Sequence, residues 1–166
     1  MRLILQRVLG ASLKFNGEVL AAIGQGLVVL LTFNKGDDKL DAEWMAQKAL
    51  RARLWHNPKS GKKWDTNAIQ NKFEVLIVNQ PMYAAESVTE QPLEDAKMEE
   101  SLYQAFVAKA QKTHVIEKVK CGVYGKQASI DLMGDGPVTL LLNSGTSDSS
   151  EDSEDKKDKK PKKAKK

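Results

Sequence analysis

Cysteine is almost missing from this chain. Cys121 is the one thiol among 166 residues, which excludes an internal disulfide and a cysteine-built zinc site and suits a reducing compartment. Histidine is scarce as well. His56 and His114 each lack a second histidine, a cysteine or a paired carboxylate at ligand spacing, so no metal site is expected, and no cofactor is expected either. No apolar run approaches the length of a membrane span, and residues 1–8 lack the apolar stretch of a secretory leader. The expectation is a soluble, cytoplasmic protein with no membrane partner.

What is present divides the chain in two. Leucine, valine, isoleucine and alanine are abundant through residue 144, enough for one globular domain whose core folds without staples. Residues 145–166 differ: six acids, most of them early in the segment, give way to eight lysines, and no apolar residue larger than proline is there to pack. Such a tail is expected to stay disordered. Residues 1–144 then carry 18 basic and 16 acidic side chains, a nearly neutral body. The lysine block fits contact with nucleic acid or a nuclear address, and equally a solubilising tail.

Along the domain, residues 2–8 are β-prone. Residues 11–15 and 18–23 flank Asn16-Gly17, a strong hairpin signal. The unbroken apolar run at 27–33 reads as a strand buried on both faces, the centre of the core. Asp38 or Asp41 caps a helix over 41–53 that turns Leu40, Trp44, Met45, Ala49, Leu50 and Leu54 inward and Lys48, Arg51 and Arg53 outward. Residues 55–64 read as a hairpin with Trp55 and Trp64 as a cross-strand pair. A strand at 73–80 stops at Pro81, an irregular loop covers 84–92, and a helix at 94–112 buries Met98, Leu102, Ala105, Phe106 and Ala110. Strands follow at 115–119 and 128–132, and the glycines on either side of Tyr124 mark a bend or a close backbone approach.

The remaining stretch is Leu132-Met133-Gly134-Asp135-Gly136-Pro137-Val138-Thr139-Leu140-Leu141-Leu142. Gly134 and Gly136 tolerate positive φ, Asp135 can close a turn with its side chain, and Pro137 removes a backbone donor. A rigid, partly bare turn feeding a final strand is expected.

Several segments together resemble the D-aminoacyl-tRNA deacylases: residues 2–8 with Ala11-Ser12, Ile23-Gly24-Gln25-Gly26-Leu27, Gly122-Val123-Tyr124-Gly125, and Asp135-Gly136-Pro137-Val138-Thr139. The resemblance spans residues 1–144. It implies a layered α/β fold in which two β-sheets pack in barrel-like fashion with two helices on one side. It also implies a homodimer in which each subunit places a cis Gly-Pro peptide, here Gly136-Pro137, into the other's active site to exclude L-aminoacyl esters. Arg7 matches the arginine that fixes this loop, a role suited to its fork of donors, and Val138 and Thr139 follow the loop on the substrate side.

The family's second motif, Ser-Gln-Phe-Thr-Leu, corresponds to Asn79-Gln80-Pro81-Met82-Tyr83. Only the glutamine is kept. The resemblance implies that backbone N–H groups along this segment hold the ester carbonyl and that the ribose 2′-hydroxyl of the tRNA assists water attack. Gln80, Gly136 and Pro137 are thus the candidate catalytic positions, and Asn79, Pro81, Met82, Val138 and Thr139 the candidate substrate contacts. Pro81 has no N–H to offer and Met82 no hydroxyl. Lys126 and Ala128 stand where relatives have alanine and methionine. Two readings follow: a hydrolase acting on the ester of misacylated D-aminoacyl- or glycyl-tRNA in translation proofreading, or a catalytically weakened homodimeric homologue that serves as an RNA- or protein-binding module.

Overall fold

The computed structural model describes residues 1–80 and 95–144; the loop expected at 84–92 and the tail at 145–166 lie outside them. The strands are β1 (Arg2–Phe15), β2 (Glu18–Ile23), β3 (Gly26–Thr32), β4 (Glu74–Asn79), β5 (Val119–Cys121) and β6 (Ser129–Asn143), with helices α1 (Lys39–Arg51) and α2 (Ala96–Thr113). All six strands join one mixed sheet of order β2-β1-β3-β4-β5, with β6 on the other side of β1. The β1, β2, β3 and β6 pairings are antiparallel, while β3, β4 and β5 run parallel. The two packed sheets of the expectation are thus two halves of one sheet bent toward a barrel.

Residues 2–8 and 11–15, expected as separate strands, form the continuous β1. A bulge explains how one strand serves both halves. Val8 and Gly10 of β1 pair with the adjacent Gly134 and Met133 of β6, leaving Leu9 as an extra residue. An extra residue reverses the inside–outside alternation of all that follows. Before it, Leu3 and Leu5 pack toward the helices; after it, Ala11 and Leu13 enter a second apolar cluster with Val8, Ile23, Val28, Leu76 and Val78 inside the bend. The run at 27–33 is buried on both faces as read. Leu27, Val29 and Leu31 meet α1 and α2, and Val28 meets the inner cluster. Asn16 and Gly17 both take positive φ (50° and 85°), the geometry of the two-residue hairpin turn.

Helix α1 opens with a reciprocal capping box: Asp38 accepts from the Asp41 N–H at 2.9 Å, and Asp41 accepts from the Asp38 N–H at 3.1 Å. The helix therefore starts two residues earlier than its periodicity suggested. Its inner face is Ala42, Met45, Ala46, Ala49 and Leu50. Leu40 and Trp44 are exposed instead, since the buried face carries the small alanines, which permit a close approach to α2. Asp95 caps α2, which buries Leu102, Tyr103, Phe106, Val107 and Ala110 but leaves Met98 exposed in its first turn.

Three further expectations are corrected. Trp55 pairs with Phe73 at 5.1 Å between ring centroids, and its backbone bridges to Thr66, while Trp64 stands exposed. The stretch 115–119 starts as a 3-10 turn, Ile116–Lys118, before the short β5. The strand at 128–132 and the final strand are one element, β6, with the Gly-Pro segment as an interruption inside it. The start and end of the described domain also meet: the Met1 ammonium contacts Asp37 and Ser144, and Ser144 Oγ donates to Asp37 at 2.8 Å.

Gly26 marks the tightest contact between β3 and β4. A Cβ there would stand 1.9 Å from the Glu74 carbonyl oxygen, and backbone cannot yield as a side-chain tip can. Gly26→Ala is expected to lower stability by about 3 kcal/mol, read as a drop in the denaturant midpoint. A midpoint unchanged from the wild type would refute the close approach.

Candidate active site

Where β4 and β5 end, the chain leaves the sheet and a cleft of about 510 Å³ opens. The carboxyl ends of parallel strands are the common location for ligand sites in α/β proteins. Leu13, Val78, Val123 and Ile130 form its apolar walls, and Asn79, Gln80, Lys126 and Gln127 its polar part. Asn79 and Gln80 therefore share a cleft, as their sequence positions suggested. Pro81 and Met82 lie outside the described residues.

The backbone at this point is already engaged. The Gln80 N–H donates to the Leu31 carbonyl at 2.9 Å, closing the β3–β4 ladder, and Pro81 has no N–H. Two successive positions thus offer no free donor to a ligand carbonyl. Asn79 adds a buried side-chain oxygen, Oδ1, with no donor among the described residues.

Among the described lining residues there is no carboxylate, histidine or cysteine. Nearby acids and thiols are not poised as bases. Burial pushes the Cys121 thiol above its ordinary value, the opposite of what a thiolate nucleophile needs. Burial likewise raises the Tyr103 phenol, whose hydroxyl lies 3.2 Å from the Ile77 carbonyl and 2.9 Å from that of Gly122. His114 Nε2 sits 2.8 Å from the Phe73 carbonyl, away from the cleft. No group of three metal-ligating side chains occurs among the described residues.

The Gly-Pro segment lies elsewhere. Gln6 pairs with Thr139 and Val8 with Gly134, so one residue of β1, Arg7, faces four of β6, residues 135–138. The surplus is extruded as a loop. Arg7 holds its base: Nε lies 3.2 Å from the Asp135 carbonyl oxygen and 3.0 Å from its Oδ2, while Nη1 donates to the Leu54 carbonyl at 2.7 Å. Gly136 takes φ 126° and the Gly136–Pro137 peptide bond is cis. A Cβ on Gly136 would come within 2.8 Å of Val138 Cγ2, so this position needs glycine on two counts. Val138 turns back toward the helix-side core, and Gly136, Pro137 and Thr139 are exposed. None of these residues lines the cleft of their own chain.

Comparison with known proteins identifies the family. A family model described as D-Tyr-tRNA(Tyr) deacylase matches residues 4–143. This chain belongs to that family. It is 36% identical over 148 residues to a D-aminoacyl-tRNA deacylase of Dictyostelium discoideum, covering 87% of this chain and 98% of the relative. A D-aminoacyl-tRNA deacylase of Thermosipho melanesiensis is 36% identical over 156 residues, with 87% and 97% covered. Among solved structures, c-Myc DNA Unwinding Element Binding Protein superposes with a TM-score of 0.79 at 31% identity, covering 87% of this chain and 99% of that one.

The structure brings Asn79 and Gln80 to the cleft and sets Arg7 at the base of the Gly-Pro loop, and it adds walls at Leu13, Val123 and Ile130 that the sequence did not single out. Their signal was ordinary strand alternation, which marks them as core. A double-mutant cycle tests the loop anchor. Arg7→Ala and Asp135→Ala should show a coupling of about 1 kcal/mol, modest because the pair is 17% and 24% exposed. Strict additivity would mean that Arg7 holds nothing through Asp135.

Proposed function

We propose that this protein hydrolyses the ester bond linking a misacylated amino acid, a D-residue or glycine, to tRNA, and so proofreads for translation. The observation that carries this reading is the pairing of a cleft at Asn79-Gln80 with a separate, arginine-anchored Gly136-Pro137 loop, both in a chain of the deacylase family. With no carboxylate, histidine or cysteine among the described lining residues, deprotonation of the attacking water falls to the substrate, whose ribose 2′-hydroxyl stands next to the scissile ester.

The loop cannot act on the cleft of its own chain, so the reading requires a homodimer in which Gly136-Pro137 of one subunit meets Asn79 and Gln80 of the other. Exposed Leu132, Met133 and Leu141 on β6, together with Leu9, supply apolar surface for such a pairing. In this arrangement bare backbone faces the α-carbon of the ester and leaves room for one hand only. Residues 1–144 act as the deacylase domain, and the lysines of 145–166 add affinity for the tRNA backbone.

A specific observation supports a second reading, a weakened deacylase that binds more than it cuts: the Gln80 N–H is engaged by Leu31 and Pro81 has none. A missing oxyanion donor typically lowers the rate about a hundredfold to a thousandfold.

Incubation with D-aminoacyl-, L-aminoacyl- and glycyl-tRNA should give ester loss from the first and third and none from the second. Loss from L-aminoacyl-tRNA at the same rate would end the proofreading reading. Pro81→Ala returns an N–H with little added bulk, so it should raise the hydrolysis rate by about a hundredfold with little change in affinity. A fast wild type whose rate Pro81→Ala leaves unaltered would show that other donors hold the oxyanion. Sedimentation at micromolar concentration should return a dimer, and a monomer there would remove the shared site.

A further inference from the structure

Among the described residues that line the cleft one is charged, Lys126, and the proposed activity assigns it no part. Lys126 follows Gly125, which takes φ 70°, and the Lys126 N–H closes a turn back to the Val123 carbonyl at 3.3 Å. The turn sets the lysine at the mouth of the cleft, near the start of β6.

Several other described lysines are committed to protein groups. Lys14 pairs with Asp131 at 2.7 Å, Lys118 with Glu74 at 3.6 Å, and Lys120 donates to the Ala22 carbonyl. Lys126 differs. Its Nζ stands 5.6 Å from the centroid of the Phe15 ring, a contact that orients the charge without neutralising it. A lysine is a point charge on a four-carbon stem and can swing from ring to ligand at low cost. The rest of the polar lining, Asn79, Gln80 and Gln127, is uncharged, so nothing described in the cleft opposes an incoming anion.

We infer that Lys126 makes this cleft selective for a substrate bearing an anionic oxygen group close to the scissile ester. This inference rests on the deacylase reading. Two parts of an aminoacyl-tRNA carry that chemistry: the side-chain carboxylate of an acidic acyl residue, and the phosphate on the 5′ side of the terminal nucleoside. In either case a charge-assisted hydrogen bond forms with the ammonium, and an uncharged residue at position 126 would lack it.

The test uses ligands that cannot be hydrolysed. D-Aspartyl and D-asparaginyl groups joined by an amide to the 3′ position of adenosine, each with and without a 5′-phosphate, are titrated calorimetrically into the full-length protein, Lys126→Ala and Lys126→Arg. If the carboxylate is the target, the aspartyl ligands bind about tenfold more tightly than the asparaginyl ones. If the phosphate is the target, it adds about tenfold with either acyl group. The gain should vanish in Lys126→Ala and persist in Lys126→Arg. Equal affinities of all four ligands for the wild type, no binding at millimolar concentration, or a gain that survives Lys126→Ala would overturn the inference. Ester loss from D-tyrosyl-tRNA, whose acyl group is neutral, reports separately on the deacylase reading, so failure of one is told apart from failure of the other.

Discussion

One residue of β1 faces four of β6, and much of the site depends on that mismatch. A ladder with equal counts would have kept residues 135–138 in the sheet, their backbone groups paired and their side chains alternating between faces. With Arg7 alone opposite them, the surplus has to leave the plane, and something must then hold its base, since an extruded loop gains no ladder hydrogen bonds. Arg7 belongs to the set of β1 side chains that face the helices, along with Leu3 and Leu5. From there its fork reaches both Asp135 and the Leu54 carbonyl just past α1. The residue that creates the mismatch also secures it.

A second irregularity stands two residues further along. The extra residue at Leu9 reverses the alternation of β1, so the same strand supports the helix-side core with its first half and the inner core with its second. The cleft depends on that reversal, because Leu13 reaches its wall from the far side of the bulge. Bulges near sites commonly re-aim side chains; here two successive irregularities of β1 lie between the Gly-Pro loop and the cleft.

The parts legible in the sequence were those set by local chemistry. Asn16-Gly17 specified its turn, the run at 27–33 its double burial, and Asp135-Gly136-Pro137 its extruded loop, each through the φ values or periodicity that a few residues impose. What was hidden depended on distant packing. Leu40 and Trp44 are apolar and correctly spaced, yet α1 turns its alanines inward, and its close neighbour is α2. Trp55 chose Phe73 over Trp64, a preference invisible without the position of β4. The bulges were hidden for the same reason, since register is a property of two strands and a single run of residues carries only one of them.

The same distinction bears on the chemistry of the cleft. Proline at position 81 is a local fact, and its missing N–H follows from the residue alone. The engagement of the Gln80 N–H by Leu31 is not local, because it comes from the parallel ladder extending one residue past the named end of β4. Together they leave residues 80 and 81 without a free backbone donor for an oxyanion. On the proposed reading, a chain that keeps the Gly-Pro loop and its arginine but lacks free donors at residues 80 and 81 would retain selection more fully than rate. The role inferred for Lys126 falls on the same side of that division, since a charge beside the cleft would act on which ester enters, before any bond is broken.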